Sequence, residues 1–258
     1  MLNLSELTDK VRALAIEAGD FIREERKKFH REAIEKKHAH DYVSYVDKES
    51  EKKIVTRLKE LLPEAGFIAE EGSGTLNDEQ YCWLVDPLDG TTNFIHDNAP
   101  YCVSIALRSK KELLLGVVYE ICRNECFWTY KGAPSYLNGN EIHVSAISNL
   151  DDSFIALGFP YATEEYKPMA NHLVNTLYGN VAGLRLMGAA AVELCYIAAG
   201  RFEARIEAFI GPWDIAAGTI ILQNAGGMIT DFKGGDSYSS GSQVLASNGR
   251  IHRDLLNI

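Results

Sequence analysis

The apolar residues Leu4, Leu7, Val11, Leu14, Ala18 and Ile22 recur every three or four positions, which places one apolar stripe along a helix. The charged run 23–37 reads as the solvated end of that helix and a loop beyond it. A second stripe, Ile54, Leu58, Leu61 and Leu62, predicts a helix over 47–62 that stops before Pro63. Residues 66–69 and 81–86 are short apolar runs, the first followed by an acid and the second ending on one, as buried strands do when they deliver a carboxylate to a sheet edge. Three strand-like stretches, 102–108, 113–120 and 125–130, are separated by turn-like segments and predict an antiparallel meander. The pattern then resets. Residues 153–157 and 202–206 read as strands, and 166–178 and 189–199 as helices. A long helix is predicted over 212–224, ending where Gly226 and Gly227 can take a left-handed cap. These elements predict an α/β protein with helices and sheets in alternating layers. Two subdomains, 1–147 and 148–258, are expected to share a cleft.

Composition narrows the class without naming a function. Apolar residues make up 46% and charged residues 24%, which excludes disordered and fibrous chains. A chain of 258 residues buries enough surface to need no disulfide or structural metal. Thirty-six acids against 26 bases leave a net charge of −10, which argues against a protein that coats nucleic acid. It suits one that gathers carboxylates around divalent cations. The five cysteines (Cys82, Cys102, Cys122, Cys126 and Cys195) contain no Cys-x-x-Cys pair, so neither a disulfide framework nor a zinc site is expected. No apolar run approaches the ~18 residues of a membrane span, and no leader pattern opens the chain. A cytoplasmic location, with no membrane partner, is the expectation.

The densest chemical signal is Asp86-Pro87-Leu88-Asp89-Gly90-Thr91-Thr92-Asn93-Phe94. Two carboxylates three residues apart, at the mouth of a strand and with a proline between them, can face one point. The Gly-Thr-Thr step then offers backbone N–H groups and hydroxyls to an anion. Hard oxygen donors of this kind suit magnesium bridged to a phosphate. A tight Asp-Gly turn with a helix cap would use part of the string, but needs neither Asp86 nor the paired threonines. Glu70-Glu71-Gly72 brings a further acid to a strand end, and Trp213-Asp214 opens the long helix. Alone, Asp214 reads as an N-cap, and Glu70 or Glu71 as a solvated turn residue. Ser44-x-x-Asp47 likewise reads as a capping box, and Glu207 as an outward-facing strand residue.

Taken together, these motifs resemble the inositol monophosphatase family of magnesium-dependent, lithium-sensitive sugar-phosphate phosphatases. The resemblance rests on Glu70-Glu71, on the stretch from Trp83 to Phe94, on Pro212-Trp213-Asp214-Ile215-Ala216-Ala217-Gly218 and on Asn224-Ala225-Gly226-Gly227, in order along nearly the whole chain. It implies a layered αβαβα sandwich and a homodimer. It implies that Glu70, Asp86 and the carbonyl of Leu88 hold one magnesium, and Asp86, Asp89 and Asp214 a second, with Glu70 assisting a third through water. Thr91 and Asp47 would orient the attacking water. Gly90 and Thr91 N–H groups would hold the phosphate, next to Thr92. Asp89, Gly188, Ala189, Ala190 and Glu207 would meet the hydroxyls of the substrate. Lys36 and Asp41 fall where the family has a mobile loop at the metal site.

The implied reaction is hydrolysis of inositol 1-phosphate by direct attack of a metal-activated water, with a small phosphorylated polyol as partner and two to three Mg2+ per subunit. An enzyme that forms an aspartyl-phosphate is disfavoured, since it resembles Asp-x-Asp with one intervening residue, and here the spacing is three. Fructose 1,6-bisphosphate and histidinol phosphate remain open as substrates. Phosphoadenosine phosphate is less well matched, because enzymes acting on it usually carry lysine where this chain has Thr92. A binding protein on the same fold is the remaining alternative, although it would be expected to lack a metal carboxylate or Thr91.

Overall fold

The Asn3 side chain accepts the Glu6 N–H and opens α1 (Leu4–Arg26), whose apolar stripe Leu7, Val11, Leu14, Ala18 and Ile22 is buried as its spacing predicts. The computed structural model describes residues 2–30, 32, 34–38, 41–74, 80–110, 112–160, 163–240 and 243–258. Beyond α1 the charged run does not remain a loop. It enters β1 (Ile34–His38), which pairs antiparallel with β2 (Asp41–Ser44). Among the described residues this two-stranded sheet pairs with no other strand, and it buries only a few side chains, Val43 fully and Ile34 and Tyr42 partly against the core, too few to print a period on the sequence.

Helix α2 (Tyr45–Leu61) follows directly, and then the strands β3 (Gly66–Ala69) and β4 (Tyr81–Asp89). After the short α3 (Thr91–His96) the predicted meander appears as β5 (Cys102–Ser109), β6 (Glu112–Glu120) and β7 (Glu125–Tyr130). Two short strands, β8 (Ser135–Leu137) and β9 (Asn140–Ile142), extend it. Strands β3 to β9 form one seven-stranded sheet in chain order, with only the β3–β4 pair parallel among them.

A second sheet has the order β11-β10-β12-β14-β13. It is built from β10 (Phe154–Leu157), then, after α4 (Thr163–Leu177), β11 (Gly183–Arg185). Past α5 (Ala190–Ala198) comes β12 (Ala204–Ala208), two residues later than the 202–206 the sequence predicts. After α6 (Pro212–Asn224) follow β13 (Met228–Thr230), β14 (Gln243–Ser247) and the closing α7 (His252–Leu256).

The layering follows from which faces are apolar. Trp83, Val85, Ile105 and Val117 pack on one side of the first sheet with Ile22 of α1 and Ile54 and Leu58 of α2. Leu84, Ala106, Val118 and Phe127 look the other way, onto α5 and α6. Both faces being covered explains why β4 reads as a continuous apolar run. The second sheet lays Ala156, Val244 and Ala246 on the other side of α5 and α6. Its outer residues Ile155, Leu157, Ile206 and Leu245 pack against Leu173 and Leu177 of α4 and Leu255 of α7. The order is therefore helices, sheet, helices, sheet, helices, as expected. None of the five cysteines, all among the described residues, is in a disulfide. No helix among the described residues is long and apolar enough to cross a membrane.

Candidate functional site

At the end of β4 the pairing with β5 slips: Asp86 faces Ser104, but Asp89 faces Cys102. Three steps on β4 thus match two on β5, and the extra residue is a bulge in the stretch that holds Pro87, which has no N–H to give to the ladder. In an unbroken strand residues three apart point to opposite faces. The bulge turns Asp86 and Asp89 the same way, and both line one cavity of about 510 Å³. Gly90 leaves the strand at a φ of 90°, where a side chain would be strained, and a Cβ there would sit 3.0 Å from the Pro100 carbonyl oxygen. Thr91 begins α3 with its hydroxyl 2.9 Å from Asp47 Oδ1 and 3.1 Å from the Leu88 carbonyl oxygen.

Asp47 is a cap and a site residue at once. Its Oδ2 accepts the Ser44 N–H at 2.8 Å and the Ser44 hydroxyl at 2.7 Å, completing the capping box of α2, while Oδ1 serves Thr91. Burial pushes its carboxyl up from the usual range.

The other carboxylates arrive from separate elements. Glu70 follows β3 and lines the cavity. Asp214 stands at the third position of α6, where it accepts the Gly211 N–H at 2.7 Å. It is thus the reciprocal half of a capping box rather than the N-cap the sequence suggests, because Pro212 and Trp213 already lie inside the helix. Asp89 caps α5 from across the interface: its two oxygens accept the N–H groups of Ala190 (3.1 Å) and Ala191 (2.7 Å), where Ala189 has no side-chain cap to offer. Burial first, and then the neighbouring charges of Glu70, Asp89 and Asp214, push Asp86 well above the usual carboxylate range. Burial and the charge of Asp214 raise Asp89 to about 7, and burial and the charge of Glu70 raise Asp214 to about 7. These are like charges held close with too little positive charge among them. Among the described residues no three of them already form a closed metal cage.

The rest of the cavity lining carries the remaining candidates. Gly90, Thr92, Gly188, Ala190 and Glu207 line the cavity, and Ala189 is buried beside it. Glu207 is turned into the site rather than outward. Its carboxylate lies over Gly158, where an added Cβ would approach it to 2.2 Å. The side chains of Lys36 and Asp41 lie outside what the structure describes. Their backbones belong to the β1–β2 hairpin, whose Tyr42 lines the cavity.

Three buried charges escape the sequence reading. Glu51 accepts the N–H groups of Glu71 (2.7 Å) and Ser73 (2.9 Å) and so fixes the turn that presents Glu70. Glu193 accepts those of Met187 (3.1 Å) and Gly188 (3.2 Å), and Arg205 bridges Glu193 and Glu207. For Glu51 a signal existed: it falls one turn after Asp47, on the buried stripe of α2 that continues to Ile54 and Leu58.

Residues 3–257 match the family model described as the inositol monophosphatase family. The chain is 39% identical over 223 residues to the Nus factor SuhB of Pasteurella multocida (strain Pm70), covering 86% of this chain and 83% of that one. Among solved structures it resembles a Thermotoga maritima IMPase with a TM-score of 0.88 and 30% identity, over 96% of this chain and 94% of the other. It also resembles the inositol monophosphate-bound SaIMPase-II, with a TM-score of 0.82 and 25% identity over 97% and 92% of the two chains.

Proposed function

Because this chain belongs to the inositol monophosphatase family, we propose that it hydrolyses inositol 1-phosphate and related myo-inositol monophosphates to inositol and phosphate. The family supports the coarser statement, a phosphatase that binds a small phosphorylated substrate. The observation that carries the finer reading is the meeting of Glu70, Asp86, Asp89 and Asp214 in one cavity with Thr91, which is hydrogen-bonded to Asp47.

The donor set fits magnesium: all its members are oxygens, and their mutual repulsion is what a divalent cation would relieve. Glu70, Asp86, the Leu88 carbonyl, Asp89 and Asp214 would hold it. Once bound, magnesium neutralises the phosphate dianion and makes water a competent nucleophile near neutral pH. The chain's own residues do the rest. Thr91 donates its proton toward Asp47, which leaves its oxygen lone pairs to hold a water in line with the phosphorus. Asp47 is itself held by Ser44, so the pair is set before substrate arrives. Gly90 and Thr91 N–H groups meet the phosphate, with Thr92 beside them. Gly188, Ala189, Ala190 and Glu207 face the leaving alcohol. No side chain need be phosphorylated. A homodimer in the cytoplasm is the accompanying proposal.

The name of the Pasteurella relative, a Nus factor, keeps a second reading alive, a binding protein on this fold. The Thr91–Asp47 pair favours catalysis, since binding alone does not need it.

The deciding experiment is phosphate release from inositol 1-phosphate, with magnesium titrated from EDTA and lithium added at the optimum. Fructose 1,6-bisphosphate, histidinol phosphate and phosphoadenosine phosphate run beside it. Magnesium-dependent, lithium-inhibited release from the inositol ester is expected. Faster release from another ester would replace the substrate, and no release from any of them would leave the binding protein.

A further inference from the structure

Strands β11, β10 and β12 lie side by side and run parallel, so the chain leaves all three at one edge of the second sheet. Within two residues of those strand ends come Leu186, Phe159 and Phe209 respectively, and all three line the cavity. That edge is where sheets with parallel strands receive their ligands. Here it is apolar, and two of the three side chains face water. Leu186 is 65% exposed and Phe209 66%.

Phe209 carries a second cost. Its φ is 60°, in the left-handed region that a bulky side chain rarely enters and that glycine takes freely. Tyr166 of α4 stands beside it with ring centroids 6.0 Å apart, yet most of the Phe209 side chain still meets water. Backbone strain and exposed apolar surface coincide at the rim of one cavity, as they do where a chain holds a binding group ready.

The depth of the cavity says what is bound. Asp86 and Asp89 are buried, whereas Leu186 and Phe209 are exposed. A bound ester would therefore have its phosphate deep and the far end of its leaving alcohol at the apolar rim. A polyol with a hydroxyl on every carbon gains little from such side chains. The backbones of Leu186 and Phe209 stand two strand spacings apart, roughly 10 Å, with Phe159 between them. A flat, rigid ring can enter there and stack on Phe209 or meet it edge-on, without the ordering cost of a flexible chain.

We propose that Phe209 and Leu186 form an apolar clamp for an aromatic ring carried by the leaving alcohol. The chain thereby favours phosphate esters whose alcohol bears such a ring beyond its hydroxyls. The inference rests on the phosphatase reading above and extends its substrates.

The test compares glycerol 2-phosphate with 1-O-phenylglycerol 2-phosphate, which differ by one ring, in saturating magnesium. Inositol 1-phosphate runs beside them. Wild type is expected to favour the phenyl ether in kcat/KM by roughly 10-fold or more. Phe209→Gly removes the ring and suits the backbone, and should reduce that preference roughly 5- to 10-fold, mostly through KM. Leu186→Ala, at an exposed position, should reduce it about threefold. A wild type without the preference overturns the proposal, and so does a preference that survives Phe209→Gly or an equal change on both glycerol esters. Turnover of inositol 1-phosphate by the wild type reports the phosphatase reading by itself. If the inositol ester alone is hydrolysed, that reading stands and the clamp is removed. If none of the three is hydrolysed, the phosphatase reading fails and the clamp fails with it.

Discussion

Asp47 joins two jobs that are usually separate, closing the N-terminus of a helix and holding the hydroxyl of Thr91. The two can be pulled apart by substitution. Thr91→Val should lower turnover on the order of 10²-fold or more while leaving stability nearly unchanged, since its partner keeps both Ser44 contacts. Asp47→Ala should lose turnover similarly and also cost about 1–2 kcal/mol through the lost cap. Urea unfolding beside phosphate-release kinetics decides it; equal stability in the two variants would remove the cap from the account. At this scale the sequence is most readable where partners are neighbours in the chain. The run from Asp86 to Thr92 declares its chemistry because the bulge brings its own residues together. Glu193 and Arg205 do not, and Glu51 does so only through its place on the buried stripe, because each acquires its meaning from partners on other elements. Glu51 meets the N–H groups of Glu71 and Ser73, about twenty residues on.

Among elements, those with one or two well-buried faces are legible, down to the four-residue β3 and β10, and the shortest strands are not. The stripes of α1 and α2 and the runs of β4 to β7 match their predicted positions closely. Strands of three residues such as β8, β9, β11 and β13 are too brief to show a period, and the β1–β2 hairpin, four or five residues to a strand and rich in charged side chains, is scarcely longer. Beyond β13 the chain is held instead by Asp231, whose carboxylate accepts the N–H groups of Lys233 and Gly235 at 2.8 Å and the Ser237 hydroxyl at 2.5 Å. The Ser237 hydrogen bond first, and then the backbone bonds, hold its carboxyl down at about 2. A folded value below the ordinary one means that the unfolded chain binds the proton more readily. The stability Asp231 contributes is therefore complete above about pH 5 and fades as the pH falls through about 4 toward 2. Asp231→Asn should unfold earlier than wild type at neutral pH, and the gap should close on acidification. A gap that widened instead would refute the assignment.

For the whole molecule the decisive dimension is the distance between layers. Gly116 of β6 faces α6 so closely that a Cβ would stand 2.6 Å from the Ala217 carbonyl oxygen. Gly116→Ala must push a sheet away from the helix that carries Asp214. A loss of about 1–3 kcal/mol is expected in calorimetry or urea unfolding, and a variant as stable as wild type would show that the layers yield. The site depends on that spacing, because its carboxylates come from β3, β4, α2 and α6 and belong to no single layer.

The same arrangement has a consequence for how the chain is made. The seven-stranded sheet is complete once Ile142 has been synthesised, yet the helices that cover its second face end only at Asn224. Roughly 80 residues must still be added, which takes on the order of ten seconds at about 5–20 residues per second. Until α5 and then α6 are made, Leu84, Ala106, Val118 and Phe127 form an apolar surface without the helices that cover it in the folded protein. The growing polypeptide thus passes through a stage in which nine of its fourteen described strands can pair and one sheet face is sticky, and in which Asp86 and Asp89 are present without Asp214.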